Sequence, residues 1–460
     1  MPHDRRQFMQ RGAAFTLGFA GLRSLIAQAG SPNRAMSRAG YGPLVPDPAG
    51  LLDLPAGFEY VVFSRRGEEM DDGLLVPGQH DGMAAFPGTN GRIILVRNHE
   101  VHMGIDGRGA FGDANERLAS LPPDRLYDRG GAKGPSRGGT TTLVYNPATR
   151  TLERHFLSLA GTEYNCAGGP TPWGTWLTCE ETVSVTGENF ARDHGFVFEV
   201  IPSETPGLAD PVPLTAMGRF RHEAVAVDPS SGCVYLTEDV AGGALYRFIP
   251  SVPGKLALGG RLQALAVHDR WSLDTMNWEP SSSVAVGSRL PVRWIDLDDV
   301  LSPADTLRLQ AAAKGGATFA RCEGMWFGRG AVYFAATTGG AAKLGQIWKY
   351  TMSPHEGTPR EAEIPAVLEL FIEPNDSKVC NNADNLTVSP WGDLVVCEDG
   401  SDLNGLFGVT PRGEAYRLAY NRRNKSELAG ATFSPDGSVL FVNVQSPGLT
   451  FAIHGPWRKG

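Results

Sequence analysis

The chain of 460 residues is poor in several things at once. No apolar run approaches the ~18 to 20 residues that a membrane-crossing helix needs, so a permanent span is excluded. Its cysteines, Cys166, Cys179, Cys233, Cys322, Cys380 and Cys397, form no C-x-x-C pair and no zinc-binding spacing. Positive charge is in deficit: 42 Lys and Arg stand against 50 Asp and Glu, for a net charge of −8. That balance argues against nucleic acid or an anionic membrane surface as a partner. Turn formers are abundant, with 57 Gly and 33 Pro on a globular background of 42% hydrophobic residues.

The N-terminus differs from the rest. Asp4 to Met9 read DRRQFM, a weakly apolar stretch follows from Gly12 to Ile26, and Ala27-Gln28-Ala29 closes it with small residues. A twin arginine, an apolar region and a small-x-small site in that order read as a Tat-type signal peptide over 1–29. The Tat export machinery is then an expected partner, and the periplasm or the exterior the expected location. The segment carries Arg5, Arg6, Arg11 and Arg23 against Asp4, net +3, so its removal would take the chain from −8 to −11. Residues 30–50 read as a linker and 51–457 as one domain, with a monomer the expected state. A core of this size does not need disulfides, so every cysteine except Cys166 is expected to be a buried apolar thiol.

A divergent unit recurs along the domain. Its copies are DGMAAFPGTNGRIILVRNHE from Asp81, CAGGPTPWGTWLTCEE from Cys166, EAVAVDPSSGCVYLTED from Glu223, EGMWFGRGAVYFAATT from Glu323, DNLTVSPWGDLVVCED from Asp384 and AGATFSPDGSVLFVNV from Ala429. Each is a hairpin by its Pro/Gly turn and its β-branched and aromatic flanks. The spacing leaves room for further strands per unit, which predicts an all-β six-bladed β-propeller with long loop insertions and a short helix on one face. The last unit lies so near the C-terminus that early strands must complete the final blade. Residues 103–139 read as a long loop, and Ser302-Pro303-Ala304-Asp305 as the capped start of the helix.

Aligned on their apolar residues, the hairpins put Asp81, Cys166, Glu223, Glu323, Asp384 and Ala429 in one column. Counted from the turn glycines, a second column holds Arg97/Asn98, Glu180/Glu181, Glu238/Asp239, Ala336/Thr337, Glu398/Asp399 and Asn443/Val444. The start of one strand and the end of its antiparallel partner lie side by side, so both columns face one mouth of the propeller channel. Two carboxylates ~4 Å apart repel by about 4 kcal/mol at an effective dielectric of ~20, so such a ring must protonate or recruit cations. Oxygen-rich clusters suit calcium, and a thiolate among acids suits a thiophilic transition metal such as iron. Asp81, Asn98, Cys166, Glu180, Glu181, Glu223, Glu238, Asp239, Glu323, Asp384, Asn385 and Glu398 are the candidate metal ligands. His99 and His102 of NHEVH fall outside the columns, and Glu100 is a weaker candidate. Arg321, just before Glu323, suits an anion, or pairs with a ring acid.

At these motifs the sequence resembles the PhoX family of bacterial alkaline phosphatases. The likeness runs through GGTTTLVYN, NCAGGPTPWGTWLTCEE, RFRHEAVAVDP, RCEGMWF, NNADNLTVSPWGDLVVCEDG and GATFSPDG, over most of the chain. It implies a Tat-exported six-bladed propeller that holds iron and calcium and hydrolyses small phosphate monoesters. Cys166, Glu223 and Glu323 are then the iron-proximal residues. Glu180, Asp384, Asn385 and Glu398 are calcium ligands by the same likeness, and Arg321 holds the phosphate. Arg321, Glu323, Cys166 and Glu223 are the residues expected to carry catalysis. A calcium-dependent lactonase or esterase is one alternative, which metal analysis separates, and a non-catalytic, metal-stabilised binding propeller is the other, in which Cys166→Ala would leave every activity unchanged.

Overall fold

The structure is a computed structural model that describes residues 39–103, 109–280 and 283–458. The signal-peptide segment 1–29 lies outside them. The fold is all-β and propeller-like. The strands His80–Pro87, Asn165–Pro170, His222–Val227, Cys322–Gly328, Ala383–Val388 and Leu428–Phe433 each open an antiparallel hairpin, and each touches the next in that order. Leu428–Phe433 returns to touch His80–Pro87, so these inner strands close a ring.

Outward from the ring, successive strands add in chain order, as short Gly and Pro turns dictate. His80–Pro87 leads a four-stranded sheet and Asn165–Pro170 a three-stranded one. His222–Val227 and Cys322–Gly328 are the two ends of a nine-stranded sheet, joined where Arg289–Asp296 pairs with Val367–Ile372. Ala383–Val388 begins a six-stranded sheet whose outer edge is supplied by Leu52–Pro55 and Leu44–Val45. Strand pairing therefore already begins within the stretch 30–50. The last sheet, from Leu428–Phe433, is completed by Glu59–Arg65 pairing with Leu449–His454, so the two chain ends share one sheet.

Neighbouring sheets pack face to face, and the core lies between them. Met83, Leu95, Leu143 and Tyr145 of the first four-stranded sheet interlock with Phe441 and Ala452 of the last. At the centre the inner strands crowd. A Cβ on Gly82 would sit 2.6 Å from Ala167 Cα, and one on Gly324 would sit 2.5 Å from Asn385 Cα. Small residues there let the strands meet, and they leave a channel cavity of about 10 Å³, room for no more than a single water.

The helix differs from its expected start. Ser302 and Asp305 take left-handed backbone (φ 40° and 54°), and the Ser302 hydroxyl accepts from Thr306 N at 2.8 Å. That turn delays the helix to Leu307–Ala313, with Thr306 rather than Ser302 at its cap position. No helix among the described residues is long and apolar enough to cross a membrane.

Candidate metal centre

Every inner hairpin carries a register shift near the start of its inner strand, after the first residue in five of them and after the second in the last. A bulge leaves one residue unpaired and re-aims it. The residues so placed are Asp81, Cys166, Glu223, Glu323, Asp384 and, in the last sheet, Gly430. The column position in that sheet is thus Gly430, not Ala429, which pairs with Asn443. A Cβ on Gly430 would lie 2.3 Å from Asp81 O, so position 430 itself has no room for a ligating side chain.

A second row begins where the partner strands end. Glu100, Glu181, Asp239 and Asp399 each stand one residue beyond the strands Ile93–His99, Trp176–Glu180, Val234–Glu238 and Leu394–Glu398. Donor atoms of the two rows fall within 4.8 Å of one another in four groups: Asp81–Glu100–Cys166, Cys166–Glu181–Glu223, Glu223–Glu323–Asp384 and Asp384–Asp399–Glu427. Adjacent groups share a residue, so they form one continuous arc around the mouth.

The arc cannot be ionised throughout without counter-charge. Burial, then Glu323, Asp384 and Asp81, pushes the Glu223 carboxyl well above the usual carboxylate range. Burial and then Asp384 push Asp81 up to about 8, and the same two causes push Asp399 up to about 7. The Cys166 thiol is also pushed up, by burial first and then by Asp81 and Glu223. Both carboxylate oxygens of Glu223 are buried without a hydrogen-bond partner. An unpartnered buried acid is costly, and a cation is the group that would satisfy it. The donor set fits metal: a thiol with acids at one end and acids alone at the other.

Arg321 supplies positive charge to the arc. It does not continue the strand, as extended backbone would require; its φ is +57° and the strand begins at Cys322. Nε and Nη2 donate to the two oxygens of Asp239 at 2.8 and 2.6 Å, and Nη2 also donates to Glu323 Oε1 at 3.0 Å. The side chain is still 40% exposed, so the guanidinium faces the mouth as well as its acids. Cys322 turns into the hydrophobic core instead.

The sequence profile described as alkaline phosphatase PhoX matches residues 39–136 and 112–448. The chain belongs to the PhoX alkaline phosphatase family. It is therefore a phosphatase. Among solved structures, PhoX from Pseudomonas fluorescens in complex with vanadate, a transition state analogue, is similar over 88% of this chain and 96% of that one, with 18% identity and a TM-score of 0.65. A gluconolactonase from Xanthomonas campestris covers 92% of this chain and 99% of its own, at 11% identity and a TM-score of 0.40. No curated protein matches the chain in sequence.

Within this PhoX-family chain, the candidate ligands divide. Asp81, Cys166, Glu181, Glu223, Glu323 and Asp384 are brought together in the arc, with Asp239 beside them on Arg321. Glu180, Glu238 and Glu398 lie outside the four groups, because they end their strands pointing outward. Glu180 accepts from His194 Nδ1 (2.6 Å) and from the Glu163, Gly195 and Phe196 amides. Glu238 accepts from Ala244 N, Tyr246 Oη and Arg308, and Glu398 from Asn381 N and Arg417. Asn98 donates to the Cys166 and Ala167 carbonyls and accepts from Trp176 Nε1, which ties two inner hairpins together. Asn385 spans Asp384 Oδ1 and Gly430 N. Two residues of the arc, Asp399 and Glu427, were not among the candidate ligands, and a third, Glu100, was only a weaker candidate. Glu100 takes the place assigned to Asn98, because the first hairpin is longer past its turn and His80 pairs with His99. Asp399 follows Glu398 in the second column, where its place could have been read. Glu427 precedes its strand in a loop, and no column signals it. All six cysteines are unpaired buried thiols.

Proposed function

We propose that this phosphatase is exported, hydrolyses phosphate monoesters, and depends on iron and calcium held in the arc. The observation that carries the reading is the continuous arc of buried donors with a half-exposed guanidinium at its edge. Cys166 with the acids on its two sides, Asp81 and Glu100 on one and Glu181 and Glu223 on the other, suits iron, and the oxygen-only group Asp384–Asp399–Glu427 suits calcium. Bound there, the cations would polarise phosphoryl oxygens and offset the charge of an arriving phosphate. Asp239 fixes the guanidinium plane of Arg321 through two hydrogen bonds, and the exposed edge is left to bind and orient the phosphate. Glu323 shares Nη2, which couples the phosphate-binding group to the metal-binding one. The order of the N-terminal sequence supports Tat export before residue 30.

We read the sheets as six blades. Six inner strands with the same bulge, each touching the next, support this count, and the nine-stranded sheet is then two blades joined at their outer strands. The functional reading is tested by assaying purified mature protein on p-nitrophenyl phosphate, with metal content measured before and after chelation. Metal-replete protein without activity would sink it.

A further inference from the structure

The carboxylates at one end of the arc are gripped by an amide from the far end of the chain. Gln445 follows the strand Val439–Val444 and is buried. Its Nε2 donates to Asp81 Oδ2 at 3.1 Å and to Glu100 Oε2 at 2.5 Å, so the two N–H bonds serve two different acids. Its Oε1 accepts from Gln79 Nε2 at 2.8 Å, and Ser446 Oγ donates to Gln79 Oε1 at 3.2 Å. That relay fixes the amide orientation, because a flipped Gln445 would aim its oxygen at two carboxylates and its NH₂ at another NH₂. Asp81 Oδ1 stays beside Cys166, 3.6 Å from Sγ.

We infer that Gln445 is a positioning residue which makes Asp81 and Glu100 one-oxygen donors beside Cys166, and so fits that group to a thiophilic transition metal rather than calcium. The inference rests on the metal-centre reading above. A lysine or arginine in this place would also hold the two acids together, but its charge would repel the cation. A neutral amide draws the acids together and leaves the site its negative charge. Gln445 Nε2 engages Asp81 Oδ2 and Glu100 Oε2, while Asp81 Oδ1, beside the thiol, also accepts from Gly82 N at 2.7 Å and offers its remaining lone pair. Calcium takes six to eight oxygens and often both of one carboxylate, whereas a thiolate is a donor that suits iron and not calcium.

The test compares the unsubstituted chain with Gln445→Met, which keeps the side-chain length and removes both donors, and with the isosteric Gln445→Glu. Each protein is titrated separately with ferric iron and with calcium, and the thiolate-to-iron absorption band is recorded. Loss of a residue that orients metal ligands costs about 10- to 100-fold in affinity. The expected result is a fall of that size in iron affinity for Gln445→Met with a smaller change for calcium, a lowered iron-to-calcium preference for Gln445→Glu, whose added carboxylate is a further oxygen ligand, and a shifted band in both variants. If Gln445→Met does not fold, Gln445→Glu carries the test. If the unsubstituted chain takes up neither metal, the metal-centre reading fails and this inference with it. If it takes up both, and the variants match it in iron-to-calcium preference and in band position, only the inference is overturned.

Discussion

Arg321 and Asp239 face each other as a two-pronged pair, with Nε at 2.8 Å and Nη2 at 2.6 Å from the two carboxylate oxygens. Lysine cannot reproduce that fork. Arg321→Lys should lower kcat/KM for p-nitrophenyl phosphate by about 10²- to 10³-fold, in line with loss of a transition-state donor. Because the side chain is partly exposed, the thermal midpoint should hardly move. Parallel kinetics and calorimetry check this, and an unchanged kcat/KM would remove Arg321 from phosphate binding.

Cys166→Ser exchanges the soft donor of the arc for a hard one. Iron bound per chain should fall, and the thiolate absorption band should vanish, while the calcium content stays close to that of the parent. Elemental analysis of the two proteins after identical loading decides the matter.

Metal uptake should release protons. Asp81 and Asp399 are pushed up to about 8 and about 7, and the Cys166 thiol is higher than its ordinary value, so without a cation these groups hold protons at neutral pH. A cation must displace them, so affinity should fall as pH is lowered, and the fall per pH unit should steepen as pH passes down through about 8 and then about 7. Titrations at about pH 8 and about pH 6, with a dye following proton release, give the measurement. Equal affinity at both would show that the groups bear no metal.

His194 offers a separate pH dependence. Its Nδ1 meets Glu180 at 2.6 Å and its Nε2 meets Asp128 at 3.0 Å, with all three side chains buried. Burial alone would depress the imidazolium, but Glu180 and Asp128 outweigh it and hold the pKa up to about 10. A folded pKa above the unfolded value of ~6.5 gives stability that is complete below about 6.5 and is lost as pH rises through 10. His194→Leu strands two buried acids and should cost about 3–5 kcal/mol at pH 6. The gap to the parent should narrow by pH 10, as urea unfolding at the two pH values will show.

Gly430→Ala is expected to destabilise by more than ~1 kcal/mol, since φ is +62° and the new Cβ would strike Asp81 O. Thermal unfolding of the chelated protein isolates this effect from metal binding.

Much of this was legible before any coordinates. The recurring hairpins and the column from Asp81 to Asp384 follow from turn chemistry and strand period alone. What strand period could not settle was which member of each acidic pair faces the mouth. Glu180 and Glu181 differ by one residue, and one residue reverses the side of a strand. The bulge that decides the matter has no residue signature beyond small neighbours such as Gly82 and Gly324. Counting from the turn glycines failed for Glu100 because one hairpin arm is longer. Glu427 was out of reach for a different reason: it belongs to a loop, where spacing carries no directional information.

The shared sheet of the two chain ends has a consequence for synthesis. Asp81 and Gln445 touch across a separation of 364 residues. A ribosome completes every other inner hairpin before it makes the strand that seals the circle. The first acids of the arc are thus translated some 364 residues before the amide that completes their surroundings.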